Sequence, residues 1–276
     1  MCATKCACSL FKLDRPIGPM PRTVVITGAS SGIGKALAER CAGPNIRLGL
    51  LGRDEQRLTA VADMCARRGA TVATAAIDVC SHERLRAWLT TFEASSPIDL
   101  LIVSAGIMGG VQPNDAIERP DSSRAVIHTN VIGALNTIHP ILPRMIARGS
   151  GQIAILSSIA GFIPLPDAPT YAASKAAVLS YGLALRSALY DKGIKVSVIC
   201  PGYVSTPMFA QEHGWKPFEM TPERAAALIW HGLERDRSII TFPRFFSLVT
   251  RIGGLLPESV RRWTSRPFRF KVIERE

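Results

Sequence analysis

The 276-residue chain reads as one α/β domain on a doubly wound parallel sheet. Three observations predict this. From Thr23 onward, short apolar, β-branched runs alternate with longer stretches of helical period, the pattern of strands joined by crossover helices. The strands are apolar at consecutive positions, as strands covered on both faces must be. No composition break and no internal repeat divides the chain.

The elements follow in order. Thr23–Ile26 predicts a strand and Gly32–Cys41 a helix. Ile46–Leu51 is a second strand, followed by a helix from Asp54 to Arg68, with Asp54 as its cap. Thr71–Ile77 is a third strand, and Ser81–Glu93 a helix capped by Ser81. Asp99–Val103 is a fourth strand. Ser122–Ala147 has helical period throughout, bent or broken near Pro140 and Pro143, where the ring removes a donor. Gln152–Leu156 is strand five, Tyr171–Tyr190 a helix, and Lys195–Ile199 strand six. Thr221–Arg235 is a capped helix, and Ser238–Phe242 the seventh strand. Residues 22–243 thus form the domain. Residues 1–21, with three prolines and no period, form a loose N-terminal tail, and 244–276 a C-terminal extension.

Composition excludes several classes. Apolar residues make up 47% and charged residues 20%, which is ordinary for a globular chain. Seven cysteines at irregular spacing do not form a secreted disulfide framework, so a reduced, cytoplasmic setting is expected. Cys2, Cys6 and Cys8 have no matching Cys/His cluster, and no metal is expected. No apolar run reaches the roughly 18 residues that span a bilayer. No secretory signal is expected either. The formal charge of +11 favours anionic partners. Nucleic acid is not expected among them, because the charge is spread along the chain and no binding module is recognisable.

The most informative segment is Thr27-Gly28-Ala29-Ser30-Ser31-Gly32-Ile33-Gly34, between the first strand and the first helix. Glycines let the backbone turn tightly and approach a pyrophosphate, while N–H groups at the helix start face the anion. Tyr171 and Lys175 lie four apart on a helix, hence on one face and one turn apart. A neighbouring ammonium favours the phenolate and brings a tyrosine closer to the pH where it moves protons.

With these residues the sequence resembles the short-chain dehydrogenase/reductase family. The TGASSGIG turn matches that family's cofactor motif. Four further segments match in order: Val103-Ser104-Ala105-Gly106, Asn130-Val131-Ile132-Gly133, Tyr171-Ala172-Ala173-Ser174-Lys175 and Pro201-Gly202. The resemblance covers Thr23 to Thr241. It implies a Rossmann-type fold and a dehydrogenase or carbonyl reductase acting on CH–OH groups. By resemblance, Tyr171 is the general acid/base, and Lys175 lowers its pKa and holds the nicotinamide ribose. Ser158, thirteen residues before Tyr171, polarises the substrate carbonyl, with Ser157 pointing elsewhere. Asn130 holds a water behind the lysine. One departure is visible: Ser104 stands where the family commonly has asparagine, so a small local change is expected after strand four.

The same comparison assigns the cofactor contacts. Gly28, Ser30, Ser31, Gly32, Ile33 and Gly34 form the phosphate turn, and Asp78 and Val79 flank the adenine. Ser104, Ala105 and Gly106 follow strand four. Tyr171, Lys175, Pro201, Gly202, Val204 and Thr206 surround the nicotinamide. Gly52 takes the place where NAD-preferring members carry an acid, and Arg53 follows it. A guanidinium grips a phosphate with two hydrogen bonds, so NADP(H) is the expected cofactor.

The segment Met208–Met220 is the expected substrate lid, with Phe209 and Trp215 as substrate contacts and Phe162 on the opposite wall. Its aromatics suit an apolar or ring-shaped carbonyl or alcohol. The extension 244–276 holds eight Lys/Arg against three Glu, interleaved with aromatic and aliphatic residues. Such a basic amphipathic segment suits peripheral contact with an acidic membrane, or packing over its own lid or a neighbouring subunit. Packing is the preferred reading. A homodimer or homotetramer is implied by the resemblance. The rival functions are a cofactor-sensing regulator without turnover and a membrane-associated reductase of a lipid or 3-oxoacyl substrate.

Overall fold

The computed structural model describes residues 21–213, 216–243, 245, 249–250, 252–253, 256–260 and 270–272, with backbone alone at 211–213 and 271–272. The expected tail up to residue 20, Trp215 and much of the C-terminal extension lie outside the described residues.

The first half of the domain runs β1 (Thr23–Thr27), α1 (Gly32–Cys41), β2 (Arg47–Gly52), α2 (Glu55–Arg67), β3 (Thr71–Ala76), α3 (His82–Ser95) and β4 (Leu100–Val103). The second half runs α4 (Pro120–Ile127), α5 (Gly133–Ile138), α6 (Leu142–Arg148), β5 (Gly151–Leu156), α7 (Pro169–Leu189), β6 (Ile194–Pro201), β7 (Glu212–His213), α8 (Pro222–Glu234), β8 (Ile239–Phe242) and β9 (Lys271–Val272). Seven strands form one parallel sheet in the order β3-β2-β1-β4-β5-β6-β8. The expected doubly wound architecture is therefore present, with element ends shifted by a residue or two. β7 and β9 pair separately and antiparallel.

Alternation along the central strands divides the core between two faces. Val24, Ile26, Leu48 and Leu50 pack under Leu37 of α1, Leu58 of α2 and Ile229 of α8. Val25, Leu101, Ile153 and Ile155 pack under Leu85 and Leu89 of α3, Ile138 of α5 and Val178 of α7. At its edge, β3 is partly exposed and has no such continuous burial.

Two local expectations are corrected. The helical stretch 122–147 is broken near Pro140 and Pro143 as expected, but it is also interrupted earlier. A π-helical turn at His128–Ile132 interrupts it, and it breaks again before α6, where Pro143 occupies the first turn. The π turn swings Asn130 inward, where its side chain exchanges hydrogen bonds with the backbone of Ile107. Ser81 sits at the N-cap of α3, but its hydroxyl makes no capping bond. Asp54 and Thr221 do cap their helices, accepting from the Arg57 and Arg224 amides.

α7 lies unusually close to the sheet. A Cβ on Gly182 would sit 2.5 Å from Val198 Cγ2 and 3.2 Å from Ile155 Cδ1. On an exposed helix, alanine would be favoured over glycine by about 1 kcal/mol. Here the stiff, buried valine cannot yield, and overpacking costs about 1–3 kcal/mol. Gly182→Ala is expected to lower Tm by about 2–8 °C in a thermal melt, and a rise in Tm would refute the close seating of α7.

Candidate active site

The turn between β1 and α1 is built for an anion. Gly28 has φ +68°, and a Cβ there would lie 2.8 Å from Ala105 Cα. A Cβ on Gly34 would lie 2.2 Å from the Gly28 carbonyl oxygen. Neither position accepts a side chain. α1 then begins with no side-chain cap and no acid in its first turn. Its leading N–H groups, which have no partner within the helix, are left to a negatively charged ligand.

In front of this turn lies a cleft of about 360 Å³. It sits at the carboxyl ends of β1 and β4, where the strand order reverses. Gly28, Ser30, Ser31, Gly32, Ile33 and Gly34 line it from the turn, and Arg53 from the end of β2. Asp78 and Val79 line it after β3, and Ser104, Ala105 and Gly106 after β4. Tyr171, Lys175, Pro201 and Thr206 close its far end.

Two expected contact residues, Gly202 and Val204, do not line this cleft. Val204 is fully buried in the core and bridges to Met220, because the chain turns inward after Pro201. Gly202 faces a second cavity instead. Arg57, Thr129 and Met208 also border the cleft and were not foreseen. Arg57 reaches the cleft from the first turn of α2, where it pairs with the Asp54 cap. Thr129 was hidden by the π turn, which re-aims that segment.

The departure after β4 is small. The Ser104 and Ala105 amides donate to Thr27 Oγ1 at 3.1 and 3.3 Å, so backbone groups tie this loop to β1. At the end of β2, a Cβ on Gly52 would lie 3.0 Å from Ser30 Oγ, so a side chain there would crowd the turn. The Asp54 carboxylate accepts from the Arg57 amide at 2.9 Å and pairs with its guanidinium at 3.0 Å.

Tyr171 and Lys175 stand on the first turns of α7. Glu118 accepts from the Thr170 amide at 3.0 Å, placing a carboxylate at the positive end of the helix. Tyr171 is 4% and Lys175 6% exposed. Lys175 Nζ lies 5.6 Å from the Tyr171 ring centroid and donates to the Leu156 carbonyl at 3.2 Å. Burial lowers the Lys175 ammonium to about 8, and a small opposing effect comes from Cys200. Ser157 Oγ donates to the Lys175 carbonyl at 2.7 Å and is occupied there. Ser158 Oγ accepts from the Ala160 amide at 3.1 Å and borders the second cavity. Asn130 Nδ2 donates to the Ile107 carbonyl and to Ser174 Oγ, both at 2.9 Å, so it bolts the loop after β4 to α7.

The second cavity, of about 320 Å³, meets the cleft at Tyr171 and Phe209, which line both. Ser158 and Tyr171 stand in its wall together. Of the residues expected to touch substrate, Phe209 lines this cavity. Phe162 does not line it, because its ring packs into a core cluster with Leu179, Val198 and Cys200. Ile163, the next residue, lines the cavity in its place.

The buried ammonium has a consequence for stability. Its folded pKa lies below the unfolded value of 10.5, so the unfolded chain holds more protons between pH 8 and 10.5. Stability therefore rises with pH across that window. Lys175→Met is expected to raise the stability of the ligand-free protein at pH 7, on the order of 1–3 kcal/mol. The gain should shrink as pH rises from 8 to 10.5, which denaturant melts at several pH values would detect.

Comparison with known proteins agrees with this geometry. Residues 22–217 match the family model described as short chain dehydrogenase. An uncharacterized oxidoreductase of Myxococcus xanthus (strain DK1622) is 33% identical over 238 residues, covering 86% of this chain and 93% of its own. A short chain dehydrogenase from Mycobacterium paratuberculosis bound to NAD superposes with a TM-score of 0.71 at 25% identity, covering 81% of this chain and 97% of that one. The L-sorbose reductase of Gluconobacter frateurii, complexed with NADPH and L-sorbose, gives a TM-score of 0.70 at 25% identity, covering 82% and 95%. A parallel sheet with an uncapped, glycine-lined turn at its switch point, and Tyr171 above Lys175 beside it, thus accords with sequence kinship: the chain belongs to the short chain dehydrogenase family of oxidoreductases.

Proposed function

We propose that the protein is an NADP(H)-dependent carbonyl reductase or alcohol dehydrogenase, in which Tyr171 moves the proton. One observation carries this reading. The Tyr171 and Ser158 side chains border one cavity, and Tyr171 also borders the cleft that receives an anion at the α1 turn. The cleft fits a dinucleotide: side chains are excluded at Gly28 and Gly34, and the start of α1 offers uncapped N–H donors.

When bound, the dinucleotide supplies a hydride to the carbonyl carbon or takes one from the alcohol carbon. The chain's own groups do the rest. Ser158 donates a hydrogen bond to the carbonyl oxygen. The Tyr171 hydroxyl gives that oxygen its proton in reduction and takes it back in oxidation. Lys175, with a pKa near 8, is mostly an ammonium at neutral pH and puts a positive charge beside the Tyr171 ring. Asn130 is a positioning residue that keeps the loop after β4 fixed to α7.

The preference for a 2′-phosphate rests on charge and space at the end of β2. Arg53 and Arg57 both border the cleft, and Gly52 presents no acid. The Asp54 carboxylate is spent on its cap and on Arg57. Solved relatives contain NAD in one case and NADPH in another, so these residues, rather than the fold, support the choice.

Tyr171→Phe is expected to lower kcat for ketone reduction about 10²–10⁴-fold while NADPH binding, followed by fluorescence titration, persists. Arg53→Ala should cut the NADPH-over-NADH preference in kcat/KM about 10–100-fold, the worth of a charged hydrogen-bond pair. An unchanged cofactor ratio would remove the phosphate assignment and leave the proton-transfer reading intact.

A further inference from the structure

The cavity beyond Tyr171 is closed by a part of the chain remote in sequence. Val249, Ile252, Gly253 and Leu256 of the C-terminal extension line it, as does Phe270. The facing wall is Met108, Ile163, Leu165 and Phe209. Among the described lining residues none is charged, and the polar side chains are Ser158, Tyr171, Tyr203 and Thr250. The two hydroxyls of Ser158 and Tyr171 are assigned to a carbonyl oxygen by the reading above.

Phe270 is the end-stop of this wall. Its ring is 7% exposed and packs in one cluster with Met108, Ala160, Ala168 and Tyr171 itself. Its amide donates to Asp167 Oδ2 at 3.1 Å. Asp167 is 2% exposed and lies four residues before Tyr171, and its carbonyl accepts from the Val111 amide at 2.8 Å. Directly after Phe270, Lys271–Val272 pair antiparallel with Glu212–His213 of the lid segment. A buried carboxylate on a main-chain amide is a strong, directional anchor. It pins the returning chain beside the reacting phenol.

We propose that the substrate is an uncharged, largely apolar ketone or secondary alcohol of ring or medium-chain size, selected by a wall that the chain's own C-terminal segment supplies and that the Asp167–Phe270 bond holds shut. The proposal rests on the hydride-transfer reading above. A carboxylate, phosphate or sulfonate placed here would lose its water with no opposing charge among the described residues. A polyol would exchange many water hydrogen bonds for the few hydroxyls of the lining. An aliphatic ring or chain gives up nothing comparable, and its burial is favourable.

The test uses the full chain with NADPH and, in parallel, NADH. Three probes are compared: 1-decalone, L-sorbose and sulfoacetaldehyde. The expected result is a kcat/KM for 1-decalone about 100-fold or more above that for either polar carbonyl. Equal or better turnover of a polar carbonyl overturns the proposal. Calorimetric titration of 1-decalone gives a readout independent of turnover. Phe270→Ala should weaken its Kd about tenfold, and Phe270→Leu should recover most of that loss. An unchanged Kd in Phe270→Ala overturns the wall. For the anchor, Asp167→Ala should speed tryptic cleavage after Lys271 about tenfold or more, with Asp167→Asn, which keeps an acceptor, in between. Cleavage at the native rate in both overturns the anchor. Silence of all three carbonyls with both nicotinamides is a different failure. It removes the hydride-transfer reading, and this proposal with it, even if 1-decalone binds.

Discussion

The seating of α7 against β5 and β6 is the constraint on which the site depends. The helix approaches so closely that Gly182 faces Val198 and Gly161 faces the Lys175 carbonyl, with no room for a side chain at either glycine. Ser157 Oγ fixes that same carbonyl, and Arg186 farther along α7 bonds Val196 of β6 and pairs with Asp236. The consequence is that Lys175 is carried under the sheet edge and stripped of water. Its ammonium is left with a carbonyl at 3.2 Å and a phenol ring above it. A lysine on an exposed helix face would titrate near its usual value and perturb nothing. Close packing thus buries both members of a common residue pair, at a cost in folding stability for the desolvated ammonium.

Charge is partitioned around this pair. The chain is strongly basic, and three of its cationic side chains border the cleft: Arg53 and Arg57 at one end and Lys175 at the other. The adjoining cavity is lined by apolar groups and a few hydroxyls among the described residues. Tyr171 lies on the boundary between the two environments. The glycine-lined cleft and the largely apolar cavity therefore meet at Tyr171, which lines both.

The C-terminal extension has two physical roles that its sequence does not separate. Part of it closes the cavity from outside, with Val249 and Ile252 half-exposed at the rim and Phe270 buried within. Part of it pairs with the lid segment through β7 and β9. Of the apolar residues that suggested either self-packing or a membrane-facing stripe, Phe270 is buried in the domain, whereas Phe245 and Val249 are exposed. This distinction is invisible in a hydropathy pattern, because burial against a distant element and burial in lipid select the same residue types.

The sequence by itself determined the strands, the helices and their parallel order, because hydrophobic period and glycine placement are local properties. It also marked the phosphate turn and the Tyr171–Lys175 pair, since a helix puts residues four apart on one face whatever surrounds it. What it could not decide were arrangements set by contacts between distant residues. The π turn that brings Asn130 to Ile107 is one, and the inward course of Val204 is another. The choice of Ile163 over Phe162 as a cavity wall depends on which ring fits between α7 and β6. The return of Phe270 to Asp167 spans 103 positions in the chain. Such choices belong to tertiary structure because they are decided by volume and hydrogen-bond partners that come together only once the sheet has formed.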